Sequence, residues 1–260
     1  MANYITSEVL SETYTHLDID FFEDKVKLEQ LRCDLTKFYQ DRASFLFGSD
    51  VQIKVIFEEG SLRTKIIAVG SAALMIALVV SDYGSFRQGI TQLSNDAVAL
   101  AQAANLEVIF RTKTPYCDRI RVEKRKGVFG RVSVLLTELD SVAANIGSSR
   151  LPTIKSKLKE ANAAVDSLLT WDRNVETLFA KFGGPDTEAC VAEGLLDEVE
   201  KLPRQLPWGP ELTHSSFLAQ LVTTDPEFSG DVAATAVRYA ASLKSIEKKL
   251  KARVAQNGAK

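Results

Sequence analysis

The stretch Ile66–Ser81, IIAVGSAALMIALVVS, runs sixteen residues without a charge, Asn, Gln, His or Pro. A segment apolar on every side must be enclosed, either by lipid or by the rest of the protein. As a helix rising 1.5 Å per residue it reaches about 24 Å, short of the roughly 30 Å hydrocarbon core, which favours burial in protein. The flanks suit a bilayer better. Lys65 can snorkel, Tyr83 is an interface residue, Thr64 and Asp82 lie at headgroup depth, and local thinning or oligomerisation accommodates a short span. Ala68 with Ala72, and Ala73 with Ala77 and Ser81, recur every fourth residue beside Gly70 and Ser71. That spacing lets helices approach closely in lipid, and equally lets a helix sit close on a sheet. A membrane reading takes Ile66, Ile67, Ala68, Gly70, Ala73, Leu74, Ala77, Leu78 and Ser81 as its segment; a core reading buries the same residues.

The 260 residues suffice for one large domain or two small ones. Cys33, Cys117 and Cys190 are far apart, form no CxxC pair and leave one over if two pair, which points to a reducing compartment. The N-terminus MANYITSEVLSETYTHLDID has no basic region followed by an apolar one, so no secretory signal is expected. In YTHLDIDFF, Leu17, Ile19 and Phe21 alternate with His16, Asp18 and Asp20, predicting a strand. A helix is predicted from Glu23 to Phe45. A β-hairpin follows, with Val51, Ile53, Val55 and Phe57 on one face and a turn at Glu59-Gly60, and then a helix from Phe86 to Val108.

The stretch IRVEKRKGVFGRVSVLL reads as a second hairpin turning at Lys126-Gly127, or as a basic loop leading into a helix that ends near Gly147; the hairpin is preferred. GSSRLP, 147–152, makes a boundary. Beyond it Ile154, Leu158, Ala161, Val165, Leu168, Trp171, Val175, Leu178 and Phe182 form a heptad seam that FGGPD stops. Val232, Ala236, Tyr239, Leu243, Ile246, Leu250 and Val254 form another. These seams either pair with each other as an antiparallel hairpin or pair with other copies of the chain. The expected fold is α+β: residues 1–147 with a small antiparallel sheet, helices and one short apolar helix, and residues 148–260 as an all-helical, coiled-coil-like domain for oligomerisation or sensing.

Charge is uneven. Between Arg111 and Arg131, Arg111, Lys113, Arg119, Arg121, Lys124, Arg125, Lys126 and Arg131 face only Asp118 and Glu123, a local charge of +6 in a chain of net charge −2. With Phe110, Tyr116 and Phe129 interspersed, the segment is a candidate polyanion site. Its cations would hold phosphates while the rings stack exposed bases of a single strand. An anionic leaflet would use the same charges, and a solvated basic face is the plain alternative. No RRM, KH or helix-turn-helix signature accompanies it.

Walker A, GxGxxG, GxSxG, HExxH and paired CxxC motifs are all absent, so a non-enzymatic protein without cofactor or metal is expected. His16 and His214 are far apart in sequence and read as structural or surface residues. Asp18 and Asp20 share one face and read as the wet side of a strand, with a divalent cation as the alternative. Trp171 and Trp208 read as core or partner contacts. In SDYGSFRQG, 81–89, Gly84 ends or hinges a helix, and Arg87 meets headgroups or an acidic partner if the segment is not a plain connection.

A hairpin at 51–67, the apolar run, the basic stretch and a helical C-terminal half together resemble the layout of bacterial anti-phage membrane effectors of the Hailong type. The likeness is one of architecture over residues 50–260. It implies an oligomeric channel at the bacterial inner membrane, facing the cytoplasm and held shut by a DNA oligomer that a partner nucleotidyltransferase makes. Ile66–Ser81 would then be the membrane segment, and Arg119–Arg131 the place to look for the oligonucleotide. Membrane lipids, further copies of the chain, a single-stranded oligonucleotide and the enzyme that makes it are the partners so expected. A helical interaction or scaffold protein of the cytoplasm, or a single-strand nucleic-acid binder, are the alternatives.

Overall fold

The computed structural model describes residues 8–58, 61–146, 154–182, 184–206 and 226–257. The chain divides into two compact units, Met1–Ser133 with Phe182–Thr187, and Val134–Lys181 with Glu188–Lys260. The first/second boundary thus falls inside a helix, and the 147–152 segment lies outside the described residues. As the pattern predicted, the fold is α+β, a four-stranded antiparallel sheet followed by helices.

The first unit runs β1 (Glu8–Leu17), α1 (Lys25–Phe47), β2 (Gln52–Glu58), β3 (Leu62–Gly70), α2 (Ala72–Tyr83), α3 (Phe86–Thr112) and β4 (Arg119–Arg125), and then enters α4 (Gly127–Asn145). The sheet order is β2-β3-β1-β4, every pair antiparallel. With α2 and α3 together in the second crossover, this is the split βαβ arrangement, β-α-β-β-α-β. The helices α1 and α3 cover one face. Leu31, Leu35, Tyr39, Ala43 and Phe47, four residues apart, form the buried stripe of α1. Ile90, Leu93, Ala97, Ala101, Ala104 and Val108 do the same for α3.

β1 begins earlier than its aliphatic alternation suggested and stops at Leu17. Its buried face carries hydroxyls: Ser11, Thr13 and Thr15 point at α3, where Ser11 Oγ donates to Ala97 O (2.7 Å) and Thr15 Oγ1 to Asn105 Oδ1 (2.5 Å). Past Leu17 the chain leaves the sheet, and Asp24 caps α1 by accepting from Val26 N and Lys27 N, both at 3.1 Å. The β2–β3 hairpin forms as predicted; its turn at Glu59-Gly60 lies outside the described residues.

The apolar run is not one helix, and this overturns the membrane reading. Ile66, Ile67, Ala68 and Gly70 belong to β3, a central strand whose last five residues, 66–70, are buried on both faces. Ser71 then caps α2 by accepting from Leu74 N (3.4 Å), and Gly84, in the left-handed region at φ 68°, ends it. α2 has twelve residues, about 18 Å. Ala72, Met75 and Ile76 are its buried side, whereas Leu74, Ala77, Leu78 and Ser81 are exposed. Among the described residues no helix is long and apolar enough to cross a membrane.

The expected second hairpin is also corrected. β4 is a strand, but Gly127 starts α4 instead of a return strand. At φ 59°, Gly127 lies so close to β1 that a Cβ there would sit 2.2 Å from Val9 O.

In the second unit α5 (Ile154–Phe179), α6 (Pro185–Glu200) and α7 (Pro226–Asn257) pack with the later part of α4. Trp171 Nε1 donates to Leu135 O (2.8 Å) and Asn145 Nδ2 to Ser167 Oγ (3.1 Å), so α4 and α5 run antiparallel. The two heptad seams meet each other within the chain. Ala161, Val165, Leu168, Trp171 and Val175 on α5 and Tyr239, Leu243, Ile246 and Leu250 on α7 are buried. They run parallel, since Thr235 meets Asn162 (3.3 Å), Lys249 meets Asp172 (2.6 Å) and Arg253 meets Glu176 (2.5 Å), with both numbers rising together. The expected antiparallel hairpin fails because α6 already runs back along α7, with Glu188 on Arg253 and, past the end of α6, Pro203 O accepting from Tyr239 Oη (2.9 Å).

Candidate nucleic-acid interface

The register fixes what the uncovered face of the sheet presents. Cross-strand partners point to the same side, and with Ser11, Thr13 and Thr15 facing the helices, Glu12, Tyr14 and His16 face outward. Across the sheet His16 is flanked by Arg121 on β4 and Arg63 on β3; Tyr14 by Glu123 and Lys65; and Glu12 by Arg125 and Ile67. β2 extends the three rows with Glu58, Ile56 and Lys54. This face therefore has five cations (Lys54, Arg63, Lys65, Arg121 and Arg125) and three carboxylates (Glu12, Glu58 and Glu123) around a central pair of rings. Tyr14 and His16 meet edge to face, with centroids 6.4 Å apart at 66°. His16 Nε2 is 2.5 Å from Ser61 Oγ.

The carboxylates orient the cations. Arg125 reaches Glu12 (2.6 Å) and Glu123 (2.9 Å), Lys65 shares Glu12 (3.5 Å), and Arg121 also pairs with Glu123. The hydrogen bond from Arg125, and then that from Arg121, holds the Glu123 carboxyl below its ordinary range. The guanidinium of Arg125 is pushed up in turn, chiefly by Glu123. Such exposed pairs contribute little stability; they hold extended side chains across the strands, where an incoming anion can exchange for a carboxylate.

Only Arg121 and Arg125 of the eight cations singled out in the sequence lie on this face. Arg111 is engaged at the end of α3 by Asp34 (2.6 Å) and Glu107 (2.7 Å). Lys113 is the left-handed C-cap of α3, φ 53°. Arg119 lies over the Tyr116 ring, 5.4 Å from its centroid. Lys124 faces the helix side, 3.3 Å from Gln102 Oε1. Lys126 packs against Gly130, and Arg131 is exposed on α4. Of the three aromatics in that segment, Phe129 is buried against Phe47, with centroids 6.1 Å apart, and is out of reach of any base. Arg63, Lys65, Tyr14 and His16 were missed. The alternation of Arg63 and Lys65 with the buried Thr64 and Ile66 was their one visible signal.

Asp18 and Asp20 lie past the end of β1, where Asp20 Oδ1 accepts from Phe22 N (3.2 Å); among the described residues no group of three His, Cys, Asp or Glu is placed to hold a metal ion. Trp208 and His214 lie outside those residues. No protein-family model, curated protein or solved structure matches the chain.

Proposed function

We propose that this chain is a non-catalytic binding protein whose open sheet face takes a single-stranded nucleic acid. The observation that carries the reading is the placement of Tyr14 and His16 on a central strand between Arg63 and Lys65 on one side and Arg121 and Arg125 on the other, with both packing helices on the opposite face. A four-stranded sheet open on one face is a platform on which bases stack while flanking cations follow the phosphates. The pore reading is set aside, because its membrane segment is the end of a strand followed by most of a twelve-residue helix.

The test is fluorescence anisotropy with labelled single-stranded DNA and RNA dodecamers, titrated over a salt series. Binding is expected to weaken linearly in log–log with salt. Tyr14→Ala is expected to remove the stacking contribution of about 1–3 kcal/mol, roughly 5- to 150-fold in affinity. Arg63→Glu with Arg121→Glu should abolish binding. No binding at low salt, or affinity indifferent to Tyr14→Ala, overturns the assignment.

A further inference from the structure

A second surface lies on the other side of β4. β4 is an edge strand, and its outer edge has no partner strand among the described residues. On α3, Gln102, Leu106 and Phe110 form one stripe at four-residue spacing. Gln102 touches Lys124, and Asn105 Nδ2 donates to Glu123 O (3.0 Å), so the stripe follows β4. α3 passes through the Tyr116–Asp118 turn into β4 running the other way. Leu106 and Phe110 thus lie level with Val122 and Ile120. All four are open to solvent, at 57%, 77%, 41% and 56%, and Tyr116 beyond them is at 84%. A core-forming sequence leaves few large apolar side chains so exposed together.

We infer that this groove binds an extended acidic peptide of a partner protein, which adds to the sheet as a strand beside β4. The free edge supplies backbone hydrogen bonds and the groove takes alternate apolar side chains. Charge selects the occupant: a strand added beside β4 sets alternate residues next to Arg121 and Arg125 on one side and over the apolar groove and Lys124 on the other, which suits acidic residues alternating with apolar ones. A second copy of this chain is disfavoured, because the antiparallel β4–β4 register that pairs Arg121 with Glu123 also sets Arg119 opposite Arg125 twice. The apolar groove lies on the helix side, with Leu106, Phe110 and Val122, and so apart from the Tyr14–His16 pair, while the acidic residues of an added strand would lie beside Arg121 and Arg125 at the margin of the open face.

The probe is a capped, fluorescein-labelled peptide alternating glutamate with valine over about eight residues, a usual strand length, with a lysine–valine peptide as control. We expect saturable binding of the glutamate peptide, slower amide exchange along β4, and no binding of the lysine peptide. Phe110→Ser with Leu106→Ser, both at exposed positions and so compatible with folding, should weaken binding about tenfold or more. Tyr14→Ala should leave it unchanged, which separates this surface from the nucleic-acid face. Absence of binding at low salt, equal binding of the lysine peptide, indifference to the double serine variant, or self-association through β4 in sedimentation would each overturn the inference.

Discussion

Replacing Asn105 by alanine should loosen the sheet from α3. Asn105 is 3% exposed and ties α3 to two strands, β1 and β4. Its Oδ1 accepts from Thr13 Oγ1 and from Thr15 Oγ1, and its Nδ2 donates to Glu123 O. Each buried hydrogen bond is worth about 1 kcal/mol net, and stranding a partner adds desolvation cost. Thr13 keeps a second acceptor in Glu123 O at 3.2 Å, so the sum falls at about 2–4 kcal/mol, a large share of the 5–15 kcal/mol of an ordinary domain. Urea unfolding followed by circular dichroism measures it at constant m. Hydrogen exchange should show faster opening of β4, since the Glu123 carbonyl loses its tie to α3 and keeps only the side-chain tie to Thr13. Thr15→Val alone should cost about 1 kcal/mol, and less in the Asn105→Ala background, because the two share one interaction. A loss below about 0.5 kcal/mol for Asn105→Ala, or strict additivity with Thr15→Val, would refute the view that this side chain clamps the sheet.

Two more perturbations follow from buried geometry. Gly127→Ala should cost more than about 3 kcal/mol or prevent folding, because its Cβ would meet Val9 O at 2.2 Å and Leu10 O at 2.5 Å with φ at 59°; a thermal melt near wild type would contradict the close approach of α4 to β1. Tyr39 lines a cavity of about 10 Å³ with Ser11 and Thr13, and its hydroxyl has no protein partner; burial, then Glu107, pushes its ionisation well above the ordinary value of 10.0. The folded state therefore holds this proton more tightly than the unfolded one, so stability is intact below about pH 10 and falls as pH rises beyond it. Ultraviolet titration should leave this phenol protonated until unfolding, and Tyr39→Phe should flatten the alkaline loss.

Much of the fold was legible because aliphatic periodicity is what burial imprints most clearly. The β2–β3 hairpin, α1, α3 and both heptad helices follow from it. β1 was misplaced because its inward positions are Ser11, Thr13 and Thr15, which a hydropathy pattern scores as solvent-facing although they hydrogen-bond to α3. The apolar run was misread for the opposite reason. From Ile66 onward β3 is enclosed on both faces, with Ile67 and Val69 buried as well as Ile66 and Ala68, so its strand alternation vanishes there and merges with the pattern of α2. Ser71 was the one break in the run, and it is visible as a helix cap only once the strand is known.

The candidate site was less legible because a charge run in sequence is not a charge patch in a strand. Successive residues of β4 point to opposite faces. Arg121 and Arg125 therefore join Glu12, Tyr14 and His16 outside, while Lys124 turns to Gln102 on α3. The partners that complete the open face come from β3, more than fifty positions away along the chain, and only the antiparallel register of β1 with β3 brings Arg63 and Lys65 beside His16 and Tyr14. The interspersed aromatics lie on other elements: Phe110 on α3, Tyr116 in the turn before β4 and Phe129 on α4. Phe129 enters the core, whereas Phe110 and Tyr116 are exposed, Tyr116 beneath the Arg119 guanidinium. One basic segment thereby serves two surfaces of different chemistry: ring stacking and phosphate charge on the open face, and backbone pairing and apolar contact along the edge.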